Sequence, residues 1–512
     1  MAAALNGVRK WAGNLVFPSG QKSDGLKAHQ KVNSTELFPY TRPSFLGLSK
    51  EAAKASADHE IRPILVAQRE LPLNAGYSET INAGKTYLVN EDQAFAELFC
   101  LHVISIDEKP KEDTITKLPY WCFGIFDGHA GAGAALAAVN QLQDIIHEKL
   151  HEIQDVIICE EKNYGKLPVL QGVVAPTIDF EAVITGALEQ SFLDMDNRIN
   201  KDRSLHKITG GCTAVVSLFI KNKLFLANAG DSRAIICKDG KPIPVTKDHT
   251  PETDRCRLQV LAGMKPHLLG NEFTRLEFQQ KPRRKHIGKK LFCRDRNMTG
   301  WALKQITEED VFKTQMISGS GKSARLLETI GTTRGFGDFD LKASYTGIPV
   351  KPFLTPEPEV TIYDLSKETI NENDVLIMAT DGLWERVSNE KACKIVQSTF
   401  THCDVHEKRR YSVAAQNLVM AARGRNTQRG WRISRDEINF NDNVELKATD
   451  PASYDDISVF VIPLSKKFQE QPETVQYPVH SIPAETRSSN DNGMNEVVSN
   501  LETNGNSTFR LS

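Results

Sequence analysis

Trp121-Cys122-Phe123-Gly124-Ile125-Phe126-Asp127-Gly128-His129-Ala130-Gly131 decides how the chain is organised. An apolar run climbs to a single carboxylate, followed by a glycine, a histidine and a small-residue stretch that opens a helix. Short apolar runs bounded by glycine read as buried strands. Asp127 is therefore expected where such a strand emerges, with Gly128 letting the backbone turn. One Asp-Gly alone is ordinarily only a turn. The arrangement recurs at Val375-Leu376-Ile377-Met378-Ala379-Thr380-Asp381-Gly382. Asp455-Asp456 inverts it, opening Ile457-Ser458-Val459-Phe460-Val461-Ile462. A last strand antiparallel to the first two gathers all three carboxylates at one sheet edge, and like charges that close need cations.

Outward from Asp127, Ala134 to Leu150 repeats at the helical period, and Phe180 to Ile199 does so again. Strands return at Cys212–Ile220 and Lys223–Ala229, joined by Lys221-Asn222, and at Ala234–Cys237, followed by Asp239-Gly240. Strands, two helices, more strands: the order predicts an α+β fold, a central β-sandwich of two antiparallel sheets flanked by α-helices. Further helices are expected around 389–398 and 411–423, and loop over 424–455. Between Lys281 and Arg296 eight basic residues face one acid, Asp295. Such a run is a solvated face, a mobile loop or a surface for an acidic or phosphorylated partner. Its place between two carboxylate strands makes it a flap beside the site, with Met298-Thr299-Gly300-Trp301 as its folded part. Thr332 to Asp338 is glycine-rich but lacks the spacing of known nucleotide loops.

The 512 residues carry 40% hydrophobic and 25% charged side chains and a net charge of −2, globular values that do not ask for nucleic acid. Nine cysteines lie without CxxC spacing, which reads as free thiols in a reducing compartment. No apolar run is long enough to span a bilayer. Leu5, Val8, Ala12, Leu15 and Val16 fall at helical spacing, so residues 1–20 are either an amphipathic helix for peripheral membrane contact or a frayed or docked end. The rest of 1–75 reads as a linker or wrapping arm, 76–464 as the main domain with the flap insertion within about 250–330, and 465–512 as a disordered tail.

Glu91, Asp92, Asp127, Asp381 and Asp455 form an all-oxygen set, the kind that selects Mg2+ or Mn2+. Several acids at one edge suggest two ions sharing a carboxylate, with Asp127 as the bridge. Ions ~3.5–4 Å apart lower the pKa of a bridging water and hold the oxygens of an in-line displacement, which suits phosphoester hydrolysis. His129 then protonates the leaving oxygen, although a lone histidine after a turn is more often structural.

Together Glu91-Asp92, Asp127-Gly128-His129, Gly211-Cys212-Thr213-Ala214, Gly230-Asp231-Ser232-Arg233, Gly337-Asp338, Asp381-Gly382-Leu383-Trp384 and Asp455-Asp456-Ile457-Ser458 resemble the metal-dependent protein phosphatases of type 2C. Tyr77 to Ala83, Pro266 to Thr274, Asn297 to Trp301 and Arg429 to Ile433 look like its protein phosphatase 1H/1J/1M subgroup. The resemblance implies dephosphorylation of phosphoserine and phosphothreonine with two Mg2+ or Mn2+ ions and no phospho-enzyme. It implies that Asp127 bridges both ions, that Asp381 and Asp455 hold the first, and that Glu91 (through water) and the Gly128 carbonyl serve the second. Asp92 binds metal-held water, and His129 is the general acid. A weaker third ion falls to Asp248 and Glu385, the latter standing where the family has Asp. Tyr87 occupies the family's phosphate-binding arginine position, leaving that task to Lys85, while Asp456 replaces an Asn and stays beside the ligands. The substrates implied are phosphorylated proteins, Rab GTPases among them. The implied location is the cytoplasm, with internal membranes such as the Golgi, and the nucleus, as further sites. The alternative is a pseudophosphatase that binds phosphoproteins without cleaving them.

Overall fold

The computed structural model describes residues 37–84, 88–105, 112–158, 179–271, 274–311, 315–343, 346–404, 407–434, 449–464 and 473–478. The expected N-terminal helix within 1–20 and the phosphate ligand Lys85 lie outside them.

Two antiparallel sheets face each other. The first runs Leu65–Val66, Gly76–Thr80, Ile457–Pro463, Val375–Ala379, Arg233–Lys238, Lys241–Pro244. The second runs Glu359–Asp364, Lys223–Ala229, Ala214–Ile220, Glu112–Phe126, with Gln93–Ser105 on the far side of Glu112–Phe126. Side chains alternate across each strand, and here both faces are covered, so the strands read as continuous apolar runs. On Val375–Ala379, Leu376 and Met378 enter the space between the sheets, while Val375, Ile377 and Ala379 face outward. Ile457–Pro463 splits the same way, with Phe460 and Ile462 inward.

Helices seal both outer faces. Gly133–Glu152 and Phe180–His206 cover the second sheet. Asp179 caps the latter by accepting from Glu181 N at 3.1 Å, and Ile184, Leu188, Phe192, Met195 and Ile199 form its buried stripe. Asn389–His402 and Arg410–Arg423 cover the first sheet. The result is a four-layer α+β sandwich, as expected from the element order. Each fully buried Leu, Ile, Val or Phe contributes about 1.5–3 kcal/mol. Phe460 touches Tyr77, Phe123 and Phe45 at ring distances of 4.8, 5.8 and 6.0 Å, so Phe460→Ala would cost about 3–5 kcal/mol.

Three stretches depart from the sequence reading. Residues 37–75, read as part of an arm, add strand Leu65–Val66 to the first sheet and Phe45, Leu46, Leu71 and Ala75 to the core between the sheets. Their apolar residues follow no period because they fill gaps between elements. Residues 424–455, read as loop, contain a small sheet of Arg425–Thr427, Gly430–Ser434 and Thr449–Pro451. Within the expected tail, Glu473–Pro478 pairs with Glu112–Lys117.

The flap has its own core. Helix Arg255–Met264, the hairpin Ile317–Ser318 with Arg325–Leu326, and residues up to Leu354 bury Leu258, Ala262, Leu326, Val350 and Phe353. A three-stranded sheet of Leu276–Phe278, Lys290–Asp295 and Ala302–Gln305 carries Lys290 and Arg294 of the basic run. Arg294 stacks 4.4 Å from the Trp301 ring and bonds Glu277 at 2.7 Å. Among the described residues no two cysteines are joined and no helix is long and apolar enough to cross a membrane.

Candidate active site

Asp127 follows the last residue of Glu112–Phe126, Asp381 opens the short helix Asp381–Trp384 after Val375–Ala379, and Asp455 stands just ahead of Ile457–Pro463. Because Val375–Ala379 and Ile457–Pro463 are antiparallel neighbours, the end of one and the start of the other share one edge. The Asp381 backbone N–H donates to Asp127 Oδ2 at 3.3 Å, joining the two sheets at this point. The glycines of both Asp-Gly pairs prove necessary for a reason other than turning. Neither has a positive φ. A Cβ on Gly128 would lie 2.3 Å from the Glu91 carbonyl oxygen, and one on Gly382 would lie 1.9 Å from that of Asp456. They let the acid-bearing segments touch.

Those segments are laced together. Asp456 accepts from Asn82 N at 2.6 Å and Asn82 Nδ2 at 3.0 Å through Oδ1, and from Glu91 N at 2.9 Å through Oδ2. Its carboxylate is thus spent on Asn82 and the Glu91 backbone, beside the centre. Glu91 Oε1 accepts from Gly131 N at 2.5 Å. Asp92 is fully buried. Its Oδ2 accepts from Thr380 Oγ1 at 3.0 Å, and its Oδ1 finds no donor among the described residues.

The acids repel one another's ionisation. Burial first, then Asp381, Asp92 and Asp455, push Asp127 well above the usual carboxylate range. Burial and Asp455 do the same to Asp381. Desolvation with Asp456 lifts Glu91 to about 8, and desolvation with Asp455 lifts Asp456 to about 7. Asp455, at the rim, is raised by desolvation of the cleft and by Glu385. Among the described residues no group of three or more His, Cys, Asp or Glu side chains stands close enough together to hold a metal ion as placed. The centre is an oxygen-only cluster of excess negative charge with one orphaned acceptor, Asp92 Oδ1. That chemistry fits hard divalent cations.

His129 Nε2 lies 2.7 Å from Asp338 Oδ2, a carboxylate only 4% exposed. A carboxylate accepts, so Nε2 donates and Nδ1 is the nitrogen left for substrate. Burial alone would lower the imidazole pKa, but Asp338 outweighs it and the net shift is upward. Gly211 makes room for the pair: its Cβ would lie 2.2 Å from Asp338 Oδ2 and 2.8 Å from His129 Nε2. Asp248 is gripped by Arg233 in a two-bond fork at 2.9 and 2.6 Å, whereas Glu385 is exposed at the rim. Asp231 is lifted to about 6 by burial, Asp248 and Glu385. Asp231 and Asp338 lie inside the motifs quoted above with no role expected of either; the signal for each is a Gly-Asp pair, Gly230-Asp231 and Gly337-Asp338.

Arg42 and Arg62 were missed altogether. Arg42 forks Glu79 at 2.8 and 2.6 Å and reaches the carbonyls of Asn90 at 3.1 Å and Asp92 at 2.5 Å. Arg62 bonds the carbonyls of Ile81, Ser453 and Asp455 at 2.6, 2.7 and 2.8 Å.

The profile of the family described as protein phosphatase 2C matches residues 106–264 and 315–429, leaving out the three-stranded sheet of the flap. Protein phosphatase 1H of Homo sapiens is 44% identical over 490 residues, which cover 83% of this chain and 91% of that protein. Protein phosphatase 1J of Rattus norvegicus is 37% identical over 474 residues, covering 87% of this chain and 90% of that protein. Among solved structures, a serine-threonine phosphatase 2C from Toxoplasma gondii aligns over 78% of this chain and 98% of its own, at 16% identity and a TM-score of 0.36.

Proposed function

Because this chain belongs to the protein phosphatase 2C family and is a serine/threonine protein phosphatase, we propose that it works through a pair of Mg2+ or Mn2+ ions at the Asp127 centre. Asp127, Asp381, Asp455, Glu91 and the Gly128 carbonyl would hold them. The observation that carries this is the crowd of mutually repelled carboxylates at the edge where the sheets meet. Bound there, such ions supply the charge that offsets the cluster and lowers the pKa of an attacking water.

The chain's own groups do the rest. Asp92 Oδ1, lacking a donor, is free to accept from that water and orient it. As the water oxygen bonds to phosphorus, the bond to the serine or threonine oxygen breaks. His129 Nδ1 hands its proton to that oxygen while Asp338 steadies the resulting ring through Nε2. The products are the free hydroxyl and inorganic phosphate. The likeness to the 1H and 1J phosphatases supports phosphorylated Rab GTPases as the substrate class.

The test is release of phosphate from phosphoserine and phosphothreonine proteins, phosphorylated Rab included, with chelator and with added Mn2+ or Mg2+. Turnover should vanish with chelator and return with either ion. Equal turnover in chelator would sink the cation reading, and inertness toward Rab alone would remove that substrate.

A further inference from the structure

Arg42 and Arg62 come from the segment read as an arm, yet their guanidinium groups end on the acid-bearing loops. Arg42 is buried and bonds the carbonyls on either side of Glu91, those of Asn90 and Asp92, while its fork on Glu79 fixes it to the first sheet. Tyr40 Oη adds a bond to the Asn90 carbonyl at 3.1 Å, and Gln93 Nε2 returns one to the Thr41 carbonyl at 2.9 Å. Arg62, also fully buried, bonds the carbonyls of Ser453 and Asp455 and lies 5.3 Å from the Trp431 ring. One arginine thus grips the loop of Glu91 and Asp92, and the other the loop of Asp455. Asp456 ties the two loops to each other.

We propose that Arg42 and Arg62 are positioning residues for the acid centre, so that the segment 37–62 is a working part of the active site. A guanidinium presents donors in a rigid fork and serves several acceptors at once. An ammonium is a point charge that cannot reproduce that geometry. Groups that orient ligands from behind typically govern metal affinity by ten- to a hundredfold. The proposal rests on the cation reading above.

Arg410 supplies the control. It is equally buried and bonds the Glu372 carbonyl at 2.5 Å and Asn373 Oδ1 at 3.1 Å. Those partners sit ahead of Val375–Ala379, at the end opposite Asp381. Arg42→Lys, Arg62→Lys and Arg410→Lys are compared with wild type by two measurements. One is Mn2+ titration followed by thermal shift. The other is kcat and KM on a small aryl phosphate. All three substitutions should lower the melting temperature of the cation-free protein. Only the first two should raise the apparent Kd for Mn2+, by about tenfold, and lower kcat with KM little changed.

Unchanged Mn2+ affinity in Arg42→Lys and Arg62→Lys, or an equal loss in Arg410→Lys, overturns the proposal. Should Arg42→Lys not fold, Arg62→Lys decides alone, since its partners are carbonyls only. A wild-type protein that shows no Mn2+ response defeats the cation reading instead, and is told apart by that fact.

Discussion

In the flap, Asp254 accepts from Arg257 at 2.9 Å and from Arg334 at 3.2 Å, and Glu277 sits between Arg255 and Arg294 at 3.1 and 2.7 Å. At the edge of the sandwich, the charged neighbours of Asp127 and Asp381 are other acids, Asp92, Asp455 and Asp231 among them. Burial would raise Asp254, but Arg334 and Arg257 hold it to about 2. Burial raises Asp127 and its acidic neighbours raise it further. The same residue type is therefore fixed as an anion in one place and opposed as one in the other. Matched charge holds the flap's shape. Unmatched charge opposes the fold locally and, in the proposed mechanism, is what the cations would offset.

The largest expected effect falls on the unmatched side. Asp127→Ala should lower turnover by on the order of a thousandfold or more. It should leave the melting temperature of the cation-free protein unchanged or higher, since a repelled charge has gone. A marked drop in that temperature breaks the contrast.

On the matched side, Asp254→Ala should cost about 3 kcal/mol in chemical denaturation, because Arg257 and Arg334 lose a buried partner. The pH dependence has a definite sign. The folded pKa of Asp254 is about 2, below the ordinary value of about 3.9. Its contribution is therefore complete above about pH 4 and is lost as pH falls toward 2. Melting temperature against pH should show that loss in wild type and not in Asp254→Ala. Identical curves remove Asp254 from the account.

His129 and Asp338 are the matched pair at the unmatched end. His129→Gln should slow a phosphoserine peptide about a hundredfold. It should slow an aryl phosphate, whose leaving group needs no proton, much less. Equal losses on both substrates take His129 out of proton delivery. The smallest effect belongs to the flap's surface: Arg275, 77% exposed, pairs with Asp295, and Arg275→Ala should change stability by no more than about 0.5 kcal/mol. A larger change means exposed pairs count here as buried ones do.

The sandwich was legible because its strands are continuous apolar runs and its helices keep a single stripe. Asp127 and Asp381 could be read because each ends such a run, and Asp455 because it stands just ahead of one. The partners of the site could not. His129 and Asp338 are 209 positions apart, Arg62 and Asp455 393, and no local pattern records a contact across such separations. Arg42 and Arg62 stand among apolar residues that follow no period, where an arginine that will be buried looks like one that will be solvated. The glycines misled in a different way. An Asp-Gly suggests a turn, and only the neighbouring backbone reveals that Gly128 and Gly382 are places where two segments of the chain touch.

Ile457–Pro463 lies between Gly76–Thr80 and Val375–Ala379 in the first sheet. During synthesis Gly76–Thr80 has Leu65–Val66 beside it but must wait for its other neighbour, made some 380 residues later. A contact of that span forms late and slowly. A chain that stops short of residue 455 lacks one carboxylate of the proposed acid centre and the strand behind it.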